Sequence, residues 1–186
     1  KKCGIKDYII KIVNYETKGQ AETVSLSLDL IKEYEPIYIF NIDTYRDDYT
    51  KPGFVNYCDG YLEVFKGVGD AWSFVLPGEN NKVLKTTEKD RISNLCSNGL
   101  YFFKNKETFT GAFNNANNNH KMEKGEYYVA PLYNELIDKG MDVRYELTGI
   151  EKMKFFGTPK EYKKLITPIK ENYADVVYGS RFIGGD

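Results

Sequence analysis

The stretch Ile37-Tyr-Ile-Phe-Asn-Ile-Asp43 is an almost uninterrupted apolar run that ends in a carboxylate. Such a run is typical of a strand that is covered on both faces in a parallel sheet. Ahead of it, residues 20–34 carry apolar side chains at spacings of three and four, which predicts an amphipathic helix that Pro36 ends. A dense Ile and Val run over residues 7–14 predicts an earlier strand. Together these segments predict a β-α-β unit.

The rest of the chain alternates between predicted strands and helices, with Gly, Pro and Asn between them. The predicted strands cover residues 61–65, 71–76, 82–87, 98–103 and 142–147, and the predicted helices cover residues 107–113 and 126–139. Residues 114–119 are rich in asparagine and are predicted to form a solvated loop, with His120 incidental at its edge. The expected fold class is α/β, with a mostly parallel sheet flanked by helices.

Composition limits the class of protein. The chain has 186 residues, 41% of them hydrophobic, which is enough for one sizeable core. Its 26 basic and 27 acidic residues leave no excess positive charge, so nucleic acid is not an expected partner. The three cysteines are widely spaced, which argues against a disulfide framework and favours the cytoplasm. No run approaches the roughly 18 apolar residues of a membrane span, and no signal peptide is predicted.

Asp43 is the first candidate for a functional residue. In open α/β sheets, ligands bind beyond the carboxyl ends of the strands, and Asp43 follows the central apolar run. Mg²⁺ prefers hard oxygen ligands such as carboxylates, so Asp43 is a candidate metal ligand. The alternative is a turn or capping residue, a common role for aspartate at the end of an element.

Four segments in a fixed order resemble the sugar-nucleotidyltransferase family. They are Thr17-Lys-Gly-Gln-Ala-Glu-Thr23, the run that ends in Asp43, the pair Glu88-Lys89 with Gly99-Leu-Tyr101 ten residues later, and Phe156-Gly-Thr-Pro159. The resemblance runs from about Ile9 to Leu165. It implies a nucleotide-diphospho-sugar transferase fold of the GT-A, Rossmann-like type. It also implies transfer of a nucleotide to a sugar phosphate or similar small phosphate, in the synthesis of surface polysaccharide precursors.

The resemblance also implies roles for individual residues. Asp43 is expected to hold a catalytic Mg²⁺ ion. Gly19, Gln20 and Ala21 are expected to bind the nucleotide, because a glycine lets the backbone approach a base closely. Glu88 and Lys89 are expected to contact the phosphorylated substrate, with Lys89 also catalytic, and Gly99 is expected to make room for that substrate. The closing segment is expected to start a helix at Pro159, with Thr158 as its N-cap.

The chain departs from the family pattern in two places. The Gly-rich loop that binds the triphosphate in the family has no counterpart here, so the fold is expected to be incomplete and turnover by this chain alone to be low. Many members also place a second metal-binding aspartate two positions before the glycine of the closing segment, where this chain has Phe155.

The last residues carry a different resemblance. Residues 165–185 are similar to family-2 glycosyltransferases of the dolichyl-phosphate mannose synthase type, and the matching positions include Asp175, Ser180 and Arg181. We expect a nucleotidyltransferase-like domain over residues 1–165 and a tail over residues 166–186 packed on the same domain. Two alternatives remain open, namely glycosyl transfer from a nucleotide sugar to a lipid phosphate, and a non-catalytic fragment that only binds nucleotide.

Overall fold

A computed structural model describes residues 8–158 and Lys163. The strands are β1 (Ile37–Phe40), β2 (Thr44–Arg46), β3 (Gly60–Lys66), β4 (Ser73–Pro77), β5 (Val83–Glu88), β6 (Leu95–Phe103), β7 (Val143–Leu147) and β8 (Met153–Phe155). The helices are α1 (Gln20–Ser25), α2 (Lys106–Asn118) and α3 (Leu132–Asp138), with 3-10 turns at Leu28–Leu30, Glu79–Asn81 and Ile150–Lys152. The predicted tail, its three matching residues and Pro159 lie outside the described residues, so the two-domain division stays a prediction.

The strands form a six-stranded sheet and a separate two-stranded ribbon. The sheet has the order β5-β4-β6-β3-β7, and β1 also pairs with β6. β3 lies along one edge of β6, whereas β1 and β4 share the other edge. β2 and β8 pair with each other and form the ribbon. The long strand β6 is therefore the centre of the described sheet.

The α/β class is confirmed, but strand directions differ from those expected. Only the β3–β7 pair is parallel among the described pairings of the sheet; the others are antiparallel. A short turn joins β4 to β5, and such a connection permits only antiparallel pairing. β1 is covered on one face rather than two, since Tyr38 and Phe40 are 38% and 42% exposed. Antiparallel sheets commonly leave one face open in this way.

The main core lies between the sheet and helices α2 and α3. Its largest cluster includes Leu62, Phe103, Phe109 and Tyr133, all fully buried. The Tyr133 hydroxyl donates to the carbonyl of Tyr61 at 2.9 Å and lies 2.8 Å from that of Phe102, which ties α3 to two central strands. Two smaller aromatic clusters cover the opposite face of the sheet.

The first predicted strand does not form in residues 8–14, and the helix after it is shorter than its pattern suggested. Residues 8–14 form no strand, and several of their apolar side chains are largely exposed. α1 ends at Ser25 rather than near residue 34, and a 3-10 turn follows. The Ser25 hydroxyl donates to the Glu22 carbonyl at 2.7 Å, a local bond of the kind that competes with a continuing helix.

Both later helices also differ from prediction, each for a local reason. α2 continues through the predicted asparagine loop, because Phe109, Ala112, Phe113 and Ala116 keep a buried face at helical spacing. α3 begins only at Leu132, because the preceding segment is extended and bonds to the segment before α1. Among the described helices, none has both the length and the apolar character needed to cross a membrane.

Candidate active site

A break in strand pairing marks the candidate site. The pairing of β1 with β6 ends where the Asn41 amide donates to the Gly99 carbonyl at 3.2 Å. The pairing of β4 with β6 begins at the Phe74–Cys96 pair. Between these points, no described strand pairs with Ser97 or Asn98 along this edge of β6. We call this opening the β6 gap. The end of β1, the start of β4 and the end of β5 all meet beside it.

Asn41 joins two of the predicted subsites at the β6 gap. Gly99 has a φ of +87°, and a Cβ atom there would lie 2.9 Å from the Asn41 Cβ. The glycine therefore makes room for the Asn41 side chain, and its predicted role of making room for a substrate stays a prediction. The Gln20 side-chain amide donates to the Asn41 side-chain oxygen, so the predicted nucleotide segment reaches the same point. Sequence reasoning missed Asn41, although a polar residue inside an apolar run was the available signal.

The segment before α1 is held by backbone bonds to Tyr127. The Tyr127 amide donates to the Lys18 carbonyl at 2.7 Å, and the Tyr127 carbonyl accepts from the Ala21 amide at 2.8 Å. A Cβ at Gly19, where φ is +114°, would lie 2.8 Å from both the Tyr127 nitrogen and its oxygen. Ala21 is fully buried, and its predicted contact with a nucleotide stays a prediction. Gln20 is partly exposed and remains a candidate.

Asp43 and the closing segment lie together, as their shared family pattern predicts. Asp43 sits in the turn between β1 and β2, which the bond from the Thr44 amide to the Asn41 carbonyl closes at 3.3 Å. Its own carbonyl accepts from the Phe156 amide at 2.9 Å. A Cβ at Gly157 would lie 2.6 Å from the Asp43 Oδ2 atom. Gly157 therefore leaves the space that the Asp43 carboxylate occupies.

The described residues contain no preformed metal cage. No group of three or more His, Cys, Asp or Glu residues lies within reach of a common ion in this part of the chain. Phe155, at the position of the family's second aspartate, packs against Phe65 and Trp72 with ring centroids 5.3 and 5.0 Å away. Any metal at Asp43 would thus have at most one further His, Cys, Asp or Glu ligand from the described residues.

Glu88 belongs to a buried polar cluster beside the β6 gap. Its carboxylate accepts a hydrogen bond from the Ser73 hydroxyl, and the residue is only 6% exposed. Burial raises the pKa of Glu88, and the bond from Ser73 opposes that shift. The buried Tyr101 hydroxyl lies beside Ser73 and Ser97, and burial raises its pKa as well. This cluster can offer both hydrogen-bond donors and acceptors to a polar ligand in the gap.

Lys89 is held at both ends. It has a φ of +54°, and its amide donates to the Trp72 carbonyl at 2.9 Å. Its ammonium donates to the Tyr128 hydroxyl oxygen at 2.9 Å. That hydrogen bond stabilises the charged form and raises the pKa of Lys89. Tyr128 could not be identified from the sequence, because the contact joins residues far apart in the chain.

The mixed sheet and its flanking helices define an α/β protein of Rossmann-like fold. The nucleoside-diphosphate-sugar pyrophosphorylase of Vibrio cholerae RC9 has a solved structure that is 43% identical, with a TM-score of 0.82. The match covers 88% of this chain and 70% of that one. The chain therefore belongs to the sugar-nucleotidyltransferase family, and the resemblance carried by its motifs is confirmed.

Two more distant structures share the fold alone. The inositol-1-phosphate CTP transferase of T. maritima is 18% identical, with a TM-score of 0.57. That match covers 83% of this chain and 63% of the transferase. The CTP:phosphocholine cytidylyltransferase of Streptococcus pneumoniae is 15% identical, with a TM-score of 0.59. That match covers 84% of this chain and 64% of the cytidylyltransferase. The chain thus spans slightly less than two thirds of these two proteins. No family model and no curated protein matches the chain.

Proposed function

We propose that this chain is a nucleotidyltransferase that joins a nucleoside triphosphate to a sugar phosphate or similar small phosphate and releases pyrophosphate. Membership of the family supports the reaction class. The β6 gap is the observation that supports the site, because it brings Gln20, the Asn41–Thr44 turn and Glu88 together from three distant segments. The proposed site thus lies between the predicted nucleotide segment and the predicted acceptor segment.

The chemistry sets what the site must supply. An oxygen of the acceptor phosphate attacks the α-phosphorus of the nucleotide and forms a new P–O bond. The bond from that phosphorus to the pyrophosphate breaks, and pyrophosphate leaves with the electron pair. Both reactants are anions, so cationic groups and hydrogen-bond donors aimed at the phosphates provide most of the catalysis. We assign Lys89 to the acceptor phosphate, Gln20 to the nucleotide and Glu88 to a hydroxyl group of the acceptor.

Asp43 is the proposed ligand of a Mg²⁺ ion. Proteins often hold Mg²⁺ through one or two carboxylates together with substrate phosphates and several waters. One partly buried carboxylate in the turn after β1 fits that requirement, whereas a metal that needs three or more His, Cys, Asp or Glu ligands from the described residues would not fit. When bound, the ion would offset the negative charge of the phosphates.

The product class suggests a cellular role. Nucleotide-activated sugars are donors for glycosyl transfer, so we propose that the product supplies the synthesis of surface polysaccharide. Nucleoside triphosphates are made in the cytoplasm, which is the proposed place of the reaction.

Calorimetric titration of the full chain tests this function. We expect one nucleoside triphosphate to bind only with Mg²⁺ present, and a sugar phosphate to bind where the same sugar without phosphate does not. Phosphorus NMR of the mixture with both substrates then reports pyrophosphate. Failure of both ligands to bind at millimolar concentration would contradict the proposal. Release of a nucleoside diphosphate from a nucleotide sugar would instead support the glycosyltransferase alternative.

A further inference from the structure

Two consecutive tyrosines lie between the predicted nucleotide and acceptor subsites. The backbone of Tyr127 bonds on both sides to the segment that contains Gln20, through Lys18 at 2.7 Å and Ala21 at 2.8 Å. The side chain of the next residue, Tyr128, accepts from the Lys89 ammonium at 2.9 Å. These two backbone hydrogen bonds hold Tyr127, and therefore also hold the backbone next to the Tyr128 ring.

We propose that Tyr128 is a positioning residue that aims the Lys89 ammonium at the acceptor phosphate. This inference rests on the proposed function, in which Lys89 binds that phosphate. A lysine side chain has four rotatable bonds, and fixing them on binding costs up to about 2 kcal/mol of conformational entropy. The Tyr128 hydroxyl fixes the far end of the side chain before the ligand arrives. The Trp72 carbonyl, bonded to the Lys89 amide, fixes the near end.

The chemistry of the partner matters, because a phenol orients a cation without neutralising it. Among the described residues, the ion pairs within 4.0 Å do not include Lys89. The nearby carboxylates of Glu88 and Glu126 act on it through space, and Glu88 bonds to Ser73 instead. Lys89 thus keeps its positive charge available for an anion.

The hydroxyl is the main contact, rather than the face of the ring. The Lys89 nitrogen is 2.9 Å from the Tyr128 oxygen but 5.0 Å from the ring centroid. Phenylalanine at position 128 would keep the ring and remove the hydrogen bond. Tyr128→Phe is therefore the sharpest test, and Tyr57→Phe is its matched control, because Tyr57 is 79% exposed.

The first measurement uses the ligand-free chain and so does not depend on the proposed function. An amine-reactive reagent labels the lysines slowly, and mass spectrometry follows the rate at Lys89. We expect Tyr128→Phe to raise that rate about 2- to 10-fold, the range that corresponds to one lost hydrogen bond. Tyr57→Phe should leave it unchanged. Equal labelling rates in wild type and Tyr128→Phe would overturn the positioning role.

The second measurement is the affinity for a sugar phosphate. We expect Tyr128→Phe to weaken it by a similar factor, to leave nucleotide affinity and thermal stability unchanged, and to have no further effect in a chain that already carries Lys89→Ala. Additive losses in that double variant, or unchanged affinity in the single variant, would overturn the proposal. If the wild-type chain bound no sugar phosphate, the proposed function would fail instead. The labelling rates would still decide whether Tyr128 fixes Lys89.

Discussion

Asp43 has a structural contact with the closing segment and a proposed role as a Mg²⁺ ligand. The residue is partly buried, its carbonyl bonds to Phe156, and its carboxylate faces the space left by Gly157. Asn has the same shape but lacks the negative charge that attracts a metal ion. We therefore expect Asp43→Asn to abolish Mg²⁺-dependent nucleotide binding. The free energy of unfolding should change by less than about 1 kcal/mol, because the core is untouched.

The measurement is a nucleotide titration with and without Mg²⁺, alongside thermal unfolding. Asp48→Asn is the matched control, because Asp48 is an exposed carboxylate in the next loop. This variant should bind nucleotide like the wild type. Equal Mg²⁺-dependent binding by Asp43→Asn and wild type would remove Asp43 from the metal site.

Lys89 gives a second prediction at this scale. Lys89→Ala removes one charge-assisted contact to a phosphate, worth about 1.5–3 kcal/mol, so acceptor affinity should fall roughly 10- to 150-fold. Nucleotide affinity should stay nearly the same. Lys85→Ala is the control, because Lys85 is exposed and lies on β5, the strand that ends just before Lys89. Separate titrations of the two ligands make the check, and a loss confined to the nucleotide would mean that the two subsites are reversed.

At the scale of elements, the sequence predicted strands better than helices. β5 and β6 lie close to their predicted bounds, because β-branched and aromatic runs between Gly, Pro and Asn carry a local signal. The start of α3 had no local signal. It depends on the bonds between Tyr127 and the segment before α1, which no periodicity reveals. The β6 gap likewise depends on which strands pair, so the sequence supplied candidate residues such as Asp43 and Lys89 but neither Asn41 and Tyr128 nor the arrangement of the set.

A buried ion pair adds to the aromatic packing that attaches the ribbon of β2 and β8 to the sheet. Arg46 donates to both oxygens of Glu63, each at 2.8 Å, and the two side chains are 8% and 2% exposed. Asn98 also donates to Glu63. Glu63→Gln leaves the Arg46 charge buried without its counter-ion, so we expect a loss of about 3–5 kcal/mol in the free energy of unfolding.

Urea unfolding measures this loss through the midpoint at unchanged slope. The double variant Arg46→Met with Glu63→Leu is the comparison, because replacing a buried pair by apolar side chains of similar size is often nearly neutral. We expect the double variant to be more stable than Glu63→Gln. A double variant that is less stable than Glu63→Gln would show that packing, rather than an uncompensated charge, sets the loss.

At the scale of the whole molecule, the fold class followed from a few apolar runs, but the strand directions did not. Apolar runs report burial, whereas direction depends on connections such as the short turn between β4 and β5. The resulting sheet buries acidic side chains as well as apolar ones. Burial raises the pKa of both Glu88 and Glu146 above the ordinary value for glutamate. Global stability should therefore carry a pH dependence that comes from inside the sheet.

Glu88 allows that dependence to be tested. In the folded state the pKa of Glu88 is raised above its ordinary value of 4.5. The folded chain therefore holds the carboxyl proton more tightly than the unfolded chain does. The contribution of Glu88 to stability is then fully present below pH 4.5 and is lost as the pH rises through the folded-state pKa. Glu88→Gln cannot ionise. Wild type should therefore lose stability relative to Glu88→Gln as the pH rises from about 4 to 8.

Urea unfolding of both chains at several pH values gives the difference in free energy of unfolding between them. A constant offset between the two curves reflects the changed hydrogen bond to Ser73, so the slope of the difference, rather than its size, carries the test. Glu79→Gln, at an exposed position, controls for the loss of a carboxylate charge as such. A difference that stays flat, or that favours wild type as the pH rises, would show that Glu88 ionises in the fold as easily as in the unfolded chain. Burial would then not raise the pKa of Glu88, and the assignment of Glu88 as a buried hydrogen-bonding partner for an acceptor hydroxyl would lose that support.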